Sequence, residues 1–331
     1  MDQNRAMASG SDSGETGFMG RSVVAVVGKG GVGKTTIAAV LAEHLASKGQ
    51  SVLLIDVEGK HDLAELFGHE RLTARPTVLA AANAAGSPSS IRRGEIRGCS
   101  VAPETALTDY LVDHGLGALS KRLASTGAID VIATSTPGIK DLLVLGRIKS
   151  YVNEATFGVV IIDTPASGHA VTFLQGPEAL ARSVGSGTIS RQANEIKTLL
   201  TNEHSGVLLV TLAEETPINE TIETAFALEE HVGIALLGVA INVLVPPVPQ
   251  SPRAALDSLE PGEREALESV LSFERSRVLR QNEHVRALAD RLPLPQLQLL
   301  REPTQALDHV GIASMAKSFG QQLETLRRKR G

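Results

Sequence analysis

The stretch Gly28-Lys29-Gly30-Gly31-Val32-Gly33-Lys34-Thr35-Thr36 constrains this chain more than any other part of it. It satisfies the spacing GxxxxGK[ST], with Gly28, Gly33, Lys34 and Thr35 at the fixed positions. Before it runs an unbroken apolar segment, Val23 to Val27; after it, Ile37, Val40, Leu41 and Leu45 recur at helical spacing as far as Gly49. Glycines between a strand and a helix let the backbone wrap closely, so that several N–H groups converge on phosphate oxygens. The helix start adds the positive end of its dipole to the same place. All nine residues, Gly28 to Thr36, are therefore expected to bind nucleotide. Lys34 is expected to lie between the β- and γ-phosphates as a catalytic charge, and Thr35 to offer its hydroxyl to a metal ion. The expected cofactors are ATP and Mg²⁺.

The surroundings predict an α/β fold. Val52 to Ile55 reads as a second strand closed by Asp56, which completes a strand–helix–strand unit. The next strongly apolar strand, Val159 to Ile162, comes roughly a hundred residues later, far beyond the usual α/β connection. A Gly/Ser/Pro break at Gly86 to Ser90 and helical patterns from about Ala106 to Leu123 and Gly138 to Val152 fill the gap. They predict an inserted helical subdomain over about 62–155, with a further helical segment over about 170–204. Strands are expected at Val207 to Leu212, Ala235 to Val243 and Pro293 to Leu300. Helices are expected from Thr216–Pro217, over Gly262 to Arg291 and over Gln305 to Leu326. The reading is a mostly parallel, Rossmann-like P-loop sheet flanked by helices: one nucleotide-binding domain over 21–331, preceded by a disordered tail over 1–20.

Composition narrows the function. A net charge of −5 gives no reason to expect a nucleic-acid partner, and the run Arg327 to Arg330 reads as a solvated helix end. The single cysteine, Cys99, rules out an internal disulfide and a zinc site built from CxxC pairs, and is too few for any soft thiolate site. With no apolar run near the length of a membrane span and a polar N-terminus, the expectation is a soluble, cytoplasmic protein.

Lys29, directly after the first glycine, gives the segment the form KGGxGK[ST]. In this the chain resembles the deviant Walker A ATPases, which include MinD/ParA proteins and the arsenite-pump and tail-anchored-protein-targeting ATPases. The resemblance implies that Lys29 reaches across a dimer interface to the partner's nucleotide, as a catalytic and binding residue. Asp163 closes the strand Val159 to Ile162, as a metal-site aspartate should. The residues after it, Thr164-Pro165-Ala166-Ser167-Gly168-His169, are similar to the DTAPTGH switch of the arsenite-pump/targeting branch, with Pro and Ala transposed and Ser for Thr. Asp56-Val57-Glu58-Gly59-Lys60-His61-Asp62-Leu63 resembles that branch's TDPAHxL segment. Glu58 stands where its water-positioning Asp stands, one methylene longer, and is the expected catalytic carboxylate. Asp56 is either a second carboxylate near Mg²⁺ or a strand-end cap. Asn242 occupies the place where the family reads the adenine edge, and 299–303 resembles its second adenine-contacting segment. Ala133 to Lys149 looks like the bacterial members.

The resemblance implies an ATP-hydrolysing switch that closes as a homodimer, or as a heterodimer with a related subunit, and that works in protein targeting, chaperoning or transport. A membrane-protein client or a membrane partner would fit it. Leu142, Leu143, Leu145, Phe173 and Leu174 could line a client groove or belong to the core. The alternatives are a MinD/ParA-like positioning ATPase and a P-loop ligase or kinase acting on a small carboxylate.

Overall fold

The computed structural model describes residues 18, 20–80, 94–101, 138–154, 156–183, 186–248, 258–304 and 307–330. The expected break at 86–90 and the helix over 106–123 lie outside these residues, as does nearly all of the expected tail.

Among the described residues eight strands form one sheet, ordered β3-β4-β2-β5-β1-β6-β7-β8. They are β1 (Val23–Gly28), β2 (Val52–Asp56), β3 (Thr77–Ala80), β4 (Ile96–Ser100), β5 (Val159–Asp163), β6 (Ser205–Leu212), β7 (Leu236–Leu244) and β8 (Gln296–Leu300). Only the β3–β4 pairing is antiparallel. Among the described residues eight helices accompany them: α1 (Lys34–Ser47), α2 (Asp62–Leu66), α3 (Ile139–Asn153), α4 (Ser167–Ser183), α5 (Thr188–Thr201), α6 (Glu215–His231), α7 (Pro261–Arg291) and α8 (His309–Arg330). The mostly parallel α/β sheet expected from the P-loop context is the fold observed.

Strand alternation splits the core in two. Val23, Ala25 and Val27 join Leu53, Ile55 and the apolar sides of α3 to α6 on one face. Val24 and Val26 join Val52, Leu54, α1 and α8 on the other. Both faces of the central strands are covered, which is why they read as continuous apolar runs. α1 is more deeply enclosed than its single apolar stripe predicts. Residues 37–46 are all buried, Glu43 and His44 among them, because α8 lies over its outer side.

The region 62–155 holds strands as well as helices. β4 runs parallel to β2, and β3 returns antiparallel beside β4. β4 reads Ile-Arg-Gly-Cys-Ser and carries no apolar run; its place in the sheet comes from pairing with β2. Phe18, inside the segment expected to be disordered, is buried and tilts against the Phe319 ring of α8 at 5.9 Å.

A P-loop and two carboxylates at the strand ends

Parallel strands put their carboxyl ends on one edge, and there the predicted site residues collect. The phosphate loop leaves β1 and turns into α1 at Gly33. Gly31 (φ 83°) and Gly33 (φ 89°) take the left-handed conformation that a side chain disfavours. Two close approaches fix the loop further. A Cβ on Gly28 would fall 2.4 Å from the Val210 carbonyl oxygen, and one on Gly33 would fall 2.3 Å from Asn242 Nδ2. Lys29, Gly30 and Gly31 form the exposed crest, and Val32 anchors the loop in the core. Lys34 is buried and curls back so that Nζ donates to the Lys29 carbonyl at 3.4 Å. Burial lowers the Lys34 pKa; the charges of Asp163 and Glu58 oppose the shift.

Asp56 and Asp163 end neighbouring strands in direct register. Thr35 Oγ1 donates to Asp163 Oδ2 at 2.6 Å, which ties the loop to β5. Asp56 Oδ1 accepts from the backbone N–H groups of Glu58 (2.9 Å) and Gly59 (3.0 Å). One oxygen on each carboxylate, Asp56 Oδ2 and Asp163 Oδ1, is buried without a hydrogen-bond partner. Burial pushes the Asp163 carboxyl up to about 7, with the Asp56 charge adding and the Thr35 hydrogen bond opposing. Burial likewise raises Asp56 to about 6 against its two backbone hydrogen bonds. Two crowded carboxylates with spare oxygens beside a hydroxyl form a hard, oxygen-rich corner that suits Mg²⁺. Asp56 thus uses one oxygen as a cap and keeps the other free.

The remaining predicted residues are placed as follows. Lys29 Nζ meets Glu220 Oε1 of α6, in the same chain, at 2.5 Å. Glu58 Oε2 accepts from Lys60 Nζ at 2.8 Å. Asn242 Nδ2 donates to the Val32 carbonyl at 3.0 Å, so its amide braces the phosphate loop. Thr164, opening the second switch, donates through Oγ1 to the Val26 carbonyl at 2.8 Å, and α4 starts three residues later.

Sequence reasoning passed over the wall beside Asn242. A cleft there is lined by Leu212, Glu214, Val245, Arg280 and Gln281. Gln281 of α7 grips Val245 twice: Oε1 accepts from its N–H (2.9 Å) and Nε2 donates to its carbonyl (2.7 Å). Next to that grip Val243 sits at φ 58°, a strained conformation for a β-branched residue. Glu220 and Gln281 carry no motif that would mark them.

The groove candidates Leu142, Leu145, Phe173 and Leu174 are core residues, and Leu143 packs partly buried against them. Cys99 is buried, and burial pushes its thiol up to about 12, which keeps it a neutral thiol. Among the described residues there is no three-residue cluster of His, Cys, Asp or Glu suited to a metal ion, and no helix is long and apolar enough to cross a membrane.

Comparison with known proteins bears on the family of the chain. The chain is similar to ATPase BagA of Mycobacterium tuberculosis, 31% identical over 230 residues, which are 67% of this chain and 64% of that protein. It is similar to ATPase GET3 of Ajellomyces dermatitidis, 30% identical over 162 residues, covering 49% of this chain and 45% of the other. The match therefore spans a little under two thirds of the mycobacterial relative. The family model described as anion-transporting ATPase matches residues 21–199. That is more than half of the 331 residues, and on it the chain belongs to the anion-transporting ATPase family.

Proposed function

We propose that the chain binds ATP with Mg²⁺, hydrolyses it, and uses the cycle to close and open a dimer. The observation that carries the reading is the corner of Thr35, Asp163 and Asp56, with two buried carboxylate oxygens left unspent beside a P-loop. Mg²⁺ bound there would neutralise the charge of the phosphates. Thr35, Asp163 and Asp56 would hold it. The N–H groups of the loop and the Lys34 ammonium cradle the phosphates, and Asn242 sets the loop against the base side. Glu58 orients the attacking water, since its carboxylate can accept a hydrogen bond. Lys29, on the exposed crest of the loop, would leave Glu220 of its own chain to meet a second subunit.

The family match and the Gly168–His169 pair support a switch used in targeting, chaperoning or transport over a MinD/ParA-like one. Cys99, single and buried, gives no support to a soft thiolate site for arsenite. Light scattering with a non-hydrolysable ATP analogue and Mg²⁺ tests the reading. The 34.8 kDa chain is expected to double in mass, and Lys29→Ala to stay a monomer while keeping nucleotide affinity. A Lys29→Ala protein that dimerises normally would remove Lys29 from the interface. Indifference of the wild type to ATP–Mg²⁺ would end the whole reading.

A further inference from the structure

We propose that Lys60 is a further catalytic residue of this site: its ammonium leaves Glu58 for the γ-phosphate of bound ATP, and the exchange frees the Glu58 carboxylate to orient the attacking water. The proposal rests on the ATP-hydrolysing reading above.

Three observations place Lys60. First, the backbone brings it there. Asp56 Oδ1 holds the N–H groups of Glu58 and Gly59, Gly59 turns the chain at φ 70°, and the side chains of Glu58 and Lys60 meet at 2.8 Å. Second, its turn borders the phosphate loop: Asp56, which holds the turn, ends β2 in register with Asp163, and Asp163 accepts from Thr35 of the loop. Burial is the main cause of the lowered Lys34 pKa and the Lys60 charge adds least to it; the hydrogen bond to Glu58 is the main cause of the raised Lys60 pKa, and Asp163 adds least. In the reading above, Lys34 cradles the phosphates and Asp163 helps hold the cation. Third, the pair is free to exchange. The Lys60 side chain is 62% exposed and that of Glu58 31%, and an exposed ion pair of this kind is weak.

Chemistry favours the exchange once a triphosphate arrives. An ammonium has three donors and no acceptor, and phosphate oxygens offer it more negative charge than one carboxylate. No covalent bond changes in this step; one hydrogen-bond partner replaces another. With its ammonium gone, Glu58 Oε2 is also left to accept from water in the turn that Asp56 fixes. In the TDPAHxL segment that this loop resembles, Ala stands where Lys60 stands, so this charge is a departure from the pattern. It accompanies the other departure, the longer Glu58.

Binding separates this role from a structural one. Calorimetry would compare a non-hydrolysable ATP analogue and ADP, each with Mg²⁺, on wild type, Lys60→Ala and Lys60→Arg. Lys60→Ala is expected to weaken the triphosphate about tenfold and the diphosphate less than about twofold. Lys60→Arg is expected to restore most of the difference. Single-turnover hydrolysis at saturating ATP is expected to slow in Lys60→Ala and to recover in Lys60→Arg. Equal weakening of both nucleotides, or of neither, overturns the proposal while leaving the ATPase reading intact. A wild type that binds neither nucleotide overturns both. An unchanged thermal midpoint of Lys60→Ala without nucleotide confirms that the fold is untouched.

Discussion

His44 lies on the side of α1 that α8 covers, its ring 5.7 Å from that of Phe319 and pressed against Gly320. Burial, with Lys48 adding to it and Glu324 opposing, lowers its pKa from 6.5 to about 4. The unfolded chain therefore takes a proton between those values that the folded chain refuses. The neutral ring's contribution is intact above about pH 6.5 and is lost as pH falls towards 4, by roughly 3 kcal/mol in all. Chemical denaturation of wild type and His44→Leu at pH 7 and pH 4.5 checks this. The wild type should lose more stability than the variant, and equal losses would exclude His44 as the cause. Residues of this kind are hard to find in a sequence, since His44 reads as one more polar position on a helix. The phosphate-loop residues were legible because their spacing is local. Their partners were not. Glu220, which holds Lys29, lies 191 residues away in the chain, and Asn242 lies 210 residues from Val32.

At the scale of elements, the informative junction is the one between β7 and α7. β7 pairs with β8 through a register shift between Ile241 and Leu244, and Val243 takes up the irregularity at φ 58°. Arg301 N–H bonds the Leu244 carbonyl at 2.8 Å, and Gln281 grips Val245 from α7. Three contacts thus hold a strained residue between Asn242 and the cleft wall. Val243→Gly removes the strain and should raise stability by roughly 0.5–1 kcal/mol. The looser turn should also weaken nucleotide binding. Thermal melting and a fluorescent-nucleotide titration on one preparation read both effects; a stability loss would mean that Val243 carries no strain. Pattern alone found the long charged helix and its start, where Glu260 and Glu263 form a capping box. It did not find β3 and β4. A strand such as Ile-Arg-Gly-Cys-Ser is recruited by its neighbour, not by its own periodicity.

For the whole molecule, the site is a joint between β1, β2, β5 and β7, so occupying it should stiffen the sheet edge. A ligand that binds only the folded chain, at a hundred times its dissociation constant, stabilises it by about 2.7 kcal/mol. In a chain of 331 residues that is a thermal shift of about 4 °C. ATP with Mg²⁺ should produce it. EDTA should abolish most of it, because Asp56 and Asp163 without the cation repel the phosphates. An undiminished shift in EDTA would remove the two carboxylates from the metal site.

The class of fold and the phosphate loop were settled by the sequence itself. Their signals are short-range: an apolar run, glycines at fixed spacing, a helical stripe. What stands opposite each charge was decided only in three dimensions. Asp56 and Asp163 crowd each other because their strands are neighbours in register. Leu142, Leu145, Phe173 and Leu174 became core and not groove because α3 and α4 pack onto the sheet. Burial and pairing depend on which distant segment covers a residue, and no window of local sequence carries that information.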